Sequence, residues 1–219
     1  MSNLYRHADA GLKRIYKIIE HVFQNSALAT WDELNVFRKS EEIYTQIDEF
    51  ARQQFQEIAE KAYEDAKKEI LAVLPEKKDK LIGLGALFLG AILASYSGKT
   101  KYRYDREWER KKDRLAESVM AVVQASASAK VVNSNELREE LGRAMRLMQG
   151  QVREMADTMT DEARNEAFEQ AGIDKVQWHT QKDSKVCKEC QERDEKIYDI
   201  YSVPDKHHRC RCYLTAVIQ

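Results

Sequence analysis

The residues best suited to chemistry are four cysteines and two histidines near the C-terminus. They are spaced as Cys187-x2-Cys190, sixteen further residues, and then His207-His208-x-Cys210-x-Cys212. A C-x-x-C pair on a tight turn can direct two thiolates at one tetrahedral ion, and a second pair of ligands often follows after a hairpin. The sequence therefore predicts a zinc site in this part of the chain.

This cluster offers more ligands than the four that a structural zinc ion takes. We expect Cys187, Cys190 and His207 to bind, together with either Cys210 or Cys212; an all-cysteine set is the alternative. Cys210 and Cys212 would lie on one face of an extended strand, so both can ligate only where the backbone turns. Four filled positions leave none for water or substrate, which indicates a structural zinc. The competing interpretation is a small core of reduced, metal-free thiols.

The composition limits the class of protein and its secondary structure. The 219 residues carry 36 basic and 37 acidic side chains, a balance that argues against a general nucleic-acid coat. Only two prolines occur, and the chain is rich in helix formers, so we expect mostly helix. Residues 1–10 lack the features of a signal peptide, and we expect folding in a reducing cytoplasm, where clustered cysteines favour a metal over disulfides.

Apolar residues recur at helical spacing over most of the first 170 positions. Between residues 31 and 74 this spacing predicts one helix of roughly 60 Å, with a capping box formed by Thr30 and Glu33 and an end at Pro75. A second long helix is predicted to end at Gly172.

The pattern changes after residue 173. Three short stretches rich in strand formers, at 176–180, 196–202 and 213–218, predict a β module too small to fold on hydrophobic burial alone. The expected fold is therefore mainly α: an elongated helical body at 1–173 and a small zinc-stabilised α+β/β knob at 174–219.

An apolar run, LIGLGALFLGAILA, occupies residues 81–94 and predicts a helix over 81–97. It is shorter than the roughly 20 residues that a spanning helix needs. We expect a helix buried on all sides by its neighbours or a partner. The alternative is contact with a membrane or another subunit, for which the candidate residues are Leu84, Leu87, Phe88 and Ile92.

Basic and aromatic residues alternate in KYRYDREWERKKDR, residues 101–114, a mixture that can hold phosphate and stack on bases. Acidic residues are interspersed, which favours a solvated helical face. The candidate contacts with DNA or a protein partner are Arg103, Arg106, Arg110 and Lys111, with Arg209 and Arg211 beside the metal ligands. We find no phosphate-binding loop, G-x-S-x-G or H-E-x-x-H motif, and we expect no enzymatic activity.

The C-terminal block resembles the signature of the phage Mu protein F-like head morphogenesis family. The resemblance is carried by Trp178-x4-Asp183-x3-Cys187-x2-Cys190, a short strand, and Pro204-x2-His207-x2-Cys210-Arg211-Cys212. By this match His207, rather than His208, takes the place of the family's histidine. Relatives often carry Asp-Gly-Lys where this chain has Asp194-Glu195-Lys196, so we expect Glu195 in a looser turn.

The resemblance implies a minor capsid protein, present in several copies inside the head of the virion near the portal. Its expected partners are the portal protein and the major capsid or scaffold protein, with packaged DNA and, during ejection, a membrane as further candidates. Two other functions remain open: a zinc-containing nucleic-acid-binding protein, and a hydrolase or toxin whose zinc is catalytic.

Overall fold

The computed structural model describes residues 4–85, 87–94, 104–127, 134–204, 206–207, 210 and 212–218. The helices are α1 (Arg6–Leu28), α2 (Val36–Val73), α3 (Phe88–Ala94), α4 (Tyr104–Ala127), α5 (Ser134–Ala171) and α6 (Lys188–Arg193). The strands are β1 (Lys175–His179), β2 (Ile197–Asp199) and β3 (Tyr213–Ala216). Short 3-10 helices cover Pro75–Lys80 and Ile200–Ser202. The chain is mainly α with a small C-terminal sheet, as the sequence predicts.

The two longest helices, α2 and α5, form the centre of the body and run parallel to each other. Near its start α1 contacts late residues of the two central helices, Asp65 on α2 and Asp161 on α5. Further along it contacts earlier ones, Glu57 and Gln149, so α1 is antiparallel to both. Helix α4 is likewise antiparallel to α2. Each central helix has 38 residues, or about 57 Å at about 1.5 Å per residue, which makes the body elongated.

Apolar residues at steps of three and four build the core between these helices. Gly11 of α1 is needed at the crossing with α2, because a Cβ there would lie 2.6 Å from Cδ1 of Ile58. Aromatic rings pack edge to face between α2 and α4: Tyr44 and Trp108 have centroids 5.2 Å apart, and Phe55 and Tyr104 have centroids 5.5 Å apart.

The ends of the long helices agree in part with the sequence. Helix α2 ends at Val73 and Pro75 begins the next element, as predicted. Gly172 has φ 74° and closes α5, also as predicted. The predicted capping box at Thr30 is wrong: α2 begins only at Val36, and the Asp32 carboxylate accepts hydrogen bonds from the preceding turn.

The apolar run does not form the predicted helix over 81–97. Only Phe88–Ala94 is helical, residues 81–85 are irregular, and residues 86 and 95–97 lie outside the described part. Gly83 has φ 100°, and its backbone is bound by side chains of α2 and α5 instead of by a helix. Burial on all sides by neighbouring helices of the same chain is wrong as well, because Ile82 is 84% and Leu87 83% exposed; burial by a partner stays a prediction. Leu84, Phe88 and Ile92 are half-buried.

The C-terminal sheet has strand order β2-β1-β3, with both pairs antiparallel. Val176 and Trp178 on the central strand are fully buried, whereas Gln177 between them is half-exposed. One face of the sheet therefore joins the core. Among the helices that the structure describes, none is both long enough and apolar enough to cross a bilayer.

Candidate metal centre

Helix α6 positions the first two cysteines. Cys187 occupies its N-cap position, and the backbone N–H of Cys190 lies 3.4 Å from Cys187 Sγ and donates to it. The first turn of α6 therefore places the Cys187 and Cys190 side chains near each other. Cys187 is exposed and Cys190 is buried, so the pair spans the surface of the knob.

A second turn of the same length supplies the facing ligands. The backbone N–H of Cys210 donates to the carbonyl of His207 over 3.0 Å, so the two side chains again stand three residues apart on a tight turn. His207 Nε2 lies 3.3 Å from Cys187 Sγ and 3.2 Å from Cys190 Sγ. Cys190 Sγ lies 3.6 Å from Cys210 Sγ.

These separations are close to those around a metal ion, and the ligand atoms form two groups of three that share Cys190. Bonds of about 2.3 Å to sulfur and about 2.0 Å to nitrogen in a tetrahedron place ligand atoms about 3.5 to 3.8 Å apart. The cluster has a fifth member, Cys212, whose Sγ lies within 4.8 Å of the thiols of Cys190 and Cys210. All five predicted metal residues are therefore brought together, in a cluster that could bind a metal ion. His208 lies outside the described residues.

The thiols interact strongly because they are crowded. Burial, with a hydrogen bond to Cys187, raises the pKa of Cys190 to about 12. Hydrogen bonding to the Cys212 thiol stabilises the thiolate of Cys210 and lowers its pKa to about 5, while the same bond raises the pKa of Cys212. Ionisation of one thiol therefore makes ionisation of the neighbouring thiols harder. A divalent cation would supply the positive charge needed to ionise several of them together.

The sheet beside the cluster holds the two turns in place. Trp178 is fully buried on β1, and the Arg193 guanidinium at the end of α6 lies 5.3 Å from its ring centroid. The turn into β2 is tighter than expected: Glu195 has φ 65°, the conformation that glycine favours. Its N–H donates to the carbonyl of Trp178 over 2.7 Å, which explains why the chain adopts this geometry without glycine.

A joint between the knob and the helical body was not predicted from the sequence. The Tyr5 hydroxyl lies 3.0 Å from the carbonyl oxygen of Cys212 and 3.0 Å from Oδ1 of Asp161 on α5. Lys206, next to His207 in the sequence, forms an ion pair with the same Asp161. No local pattern signals this joint, because Tyr5 and Cys212 are 207 positions apart.

The basic and aromatic segment at residues 101–114 does not expose its described aromatic rings as a surface for stacking bases. Tyr104 and Trp108 are buried in the core, at 1% and 4% exposure, so they cannot stack on bases. Arg106 is exposed on α4, and Arg110 forms an ion pair of 2.5 Å with Glu107. Lys111 is half-buried, and burial lowers its pKa. The other three candidates, Arg103, Arg209 and Arg211, lie outside the described residues.

Comparisons with protein-family models, with curated proteins and with solved structures gave no match to this chain.

Proposed function

We propose that this chain is a structural minor head protein of a phage, with a structural zinc ion in its C-terminal knob. The supporting observation is two groups of ligand atoms that share Cys190: Cys187, Cys190 and His207 form one, and Cys190, Cys210 and Cys212 form the other. Three of the contacts between these atoms measure 3.2 to 3.6 Å. The same residues, in the same order, carry the resemblance to the phage Mu protein F-like family.

Zinc is the metal that the ligand types favour. Thiolate with imidazole in a tetrahedral arrangement is the usual donor set of structural zinc sites. We assign Cys187, Cys190, His207 and Cys210 as ligands, because these four stand at the matching positions of the two turns. Cys212 then lies beside the filled shell as a neighbouring thiol. Four protein ligands leave no position for a substrate, which favours a structural role over a hydrolase or toxin.

Zinc would fasten a sheet whose strands have only three to five residues. Because the ligand-bearing turn also carries Lys206, and Tyr5 binds the carbonyl of Cys212, a closed zinc site would fix the knob on the helical body. A long helical body with a rigid knob suits a protein that fills a space between larger assembly partners. We place it inside the head near the portal, in several copies, in contact with the portal protein and the major capsid or scaffold protein.

Native mass spectrometry of the chain co-expressed with the portal protein of the same genome tests this function. We expect a chain–portal complex that carries one zinc ion per copy of the chain. A matched pair of variants, Cys190→Ser in the cluster and Ser184→Ala at an exposed position outside it, separates loss of the site from mutation itself.

The contrary outcomes distinguish the alternatives. A zinc-bearing chain that ignores the portal protein but binds duplex DNA with a steep salt dependence would support the nucleic-acid-binding function instead. Packaged DNA remains a candidate partner under both functions. A zinc-bearing chain with hydrolytic activity that is lost without unfolding would support the catalytic alternative.

A further inference from the structure

Residues 82–85 and 87–89 lie between the 3-10 helix after α2 and the first turn of α3, and we refer to them as the apolar tip. Ile82 and Leu87 project from it, while Leu84, Phe88 and Leu89 pack partly against the core. Ile82 is 84% and Leu87 83% exposed, and Leu84 is half-exposed. Nothing lies within 4 Å of a Cβ built on Gly83 or Gly85. Within the described part of the chain, these glycines therefore do not serve close packing.

The base of the apolar tip is held firmly by polar side chains of the two central helices. The backbone N–H of Gly83 donates to the Tyr63 hydroxyl, and its carbonyl accepts from Gln170 Nε2, both over 3.0 Å. The N–H of Ile82 donates to Gln170 Oε1 over 3.1 Å. The Tyr63 hydroxyl in turn donates to Gln170 Oε1. These bonds fix a backbone conformation that turns Ile82 toward solvent.

Lysines surround this apolar sequence. Residues 81–98 contain no charged side chain, and the run is preceded by Lys77, Lys78 and Lys80 and followed by Lys99 and Lys101. Lys78 and Lys80 are exposed on the 3-10 helix that leads into the apolar tip. Glu76 and Asp79 oppose them, so Pro75–Lys80 carries a net charge of +1 (three Lys minus two acids). Lysine side chains can reach lipid phosphates while neighbouring apolar residues enter the acyl region.

We propose that the apolar tip inserts into the surface of an anionic lipid bilayer, with Lys78 and Lys80 at the level of the headgroups. The run is too short to span a bilayer but sufficient for shallow insertion, to a depth of about 5–10 Å. A second copy of the chain is a poorer occupant, since a stable protein interface buries about 800 Å² on each partner and the apolar tip has only two strongly exposed apolar side chains, Ile82 and Leu87. The inference goes beyond the proposed head function and does not depend on it.

Co-sedimentation of the full chain with vesicles tests the proposal. We expect binding to vesicles of phosphatidylcholine with phosphatidylserine, and much weaker binding to phosphatidylcholine alone. Ile82→Glu with Leu87→Glu should weaken binding about tenfold or more, because two apolar side chains no longer leave water. The matched control is Leu34→Glu with Phe37→Glu, two side chains that are 98% and 60% exposed near the start of α2. This control should bind as the unmodified chain does.

A second variant, Leu87→Trp, tests insertion without introducing a charge, so that misfolding of the glutamate variants cannot decide the result. Trp31, Trp108 and Trp178 are all buried, so the emission of Leu87→Trp reports on the apolar tip, and it should shift to the blue with anionic vesicles. No sedimentation with anionic vesicles, equal binding to both vesicle types, or equal loss in the control pair would overturn the proposal. A dimer that the tip pair abolishes, without any vesicle binding, would assign the surface to a second copy.

Discussion

The fold holds the carboxylate of Asp157, on α5, partly away from water. Its Oδ1 is buried and has no hydrogen-bond partner in the described part of the chain, and Oδ2 lies 3.9 Å from Nε of Arg153. Asp161 and Asp9 face it and oppose ionisation, whereas Arg153 and Lys206 favour it. Burial is the largest of these effects and raises the pKa of Asp157 to about 7.

This shift makes the stability of the fold depend on pH. The folded chain holds the proton more tightly than the unfolded chain, whose ordinary value is 3.8, so the contribution is complete below about pH 4 and is lost as pH rises to about 7. About three pH units at about 1.4 kcal/mol each set an upper limit of roughly 4 kcal/mol. Since 26% of the side chain remains exposed, solvent screening should reduce the loss to about 2 kcal/mol.

Asp157→Asn removes the ionisation, and it should be about 2 kcal/mol more stable than the unmodified chain at pH 8 and nearly equal to it in acid. Urea unfolding followed by circular dichroism, at several pH values from 4 to 8, measures the difference, because the loss begins near pH 4 and is complete near pH 7. The exposed Asp113→Asn is the control and should follow the unmodified chain. Identical pH profiles for Asp157→Asn and the unmodified chain would refute the reasoning.

Three further substitutions probe packing and backbone geometry by urea unfolding. Gly11→Ala places a Cβ 2.6 Å from Cδ1 of Ile58 and should cost about 1–3 kcal/mol, whereas unchanged stability would mean that the two helices are not in close contact. Tyr5→Phe removes the hydroxyl from the joint and should cost about 1 kcal/mol; no loss would show that the joint contributes nothing. Glu195→Gly relieves a residue at φ 65° and should raise stability by up to about 1 kcal/mol, and a decrease would contradict the tight turn.

Features with a local signal could be predicted from the sequence. The long helices follow from apolar spacing, and their ends at Pro75 and Gly172 follow from backbone chemistry that one residue determines. The metal cluster could be predicted for the same reason, because Cys187 and Cys190, like His207 and Cys210, are brought together by tight turns. The three strands follow from their composition of strand-forming residues.

Features that depend on distant parts of the chain could not be predicted. The parallel pairing of α2 and α5 is a tertiary arrangement that neither helix encodes alone. The burial of Trp108 against Tyr44 also depends on tertiary packing, and the basic residues beside Trp108 in the sequence favour an exposed helical face instead. The composition of the apolar run predicts a buried helix, whereas Gln170, far along the chain, fixes the backbone of Gly83 in another conformation.

X-ray absorption at the zinc edge of the purified chain tests the central claim most directly. One zinc ion per chain, bound by three sulfurs at about 2.3 Å and one nitrogen at about 2.0 Å, is the predicted shell. It should survive Cys212→Ser and be lost or altered by His207→Ala. A folded chain without metal, or a zinc ion with an exchangeable oxygen ligand, would contradict the closed structural site.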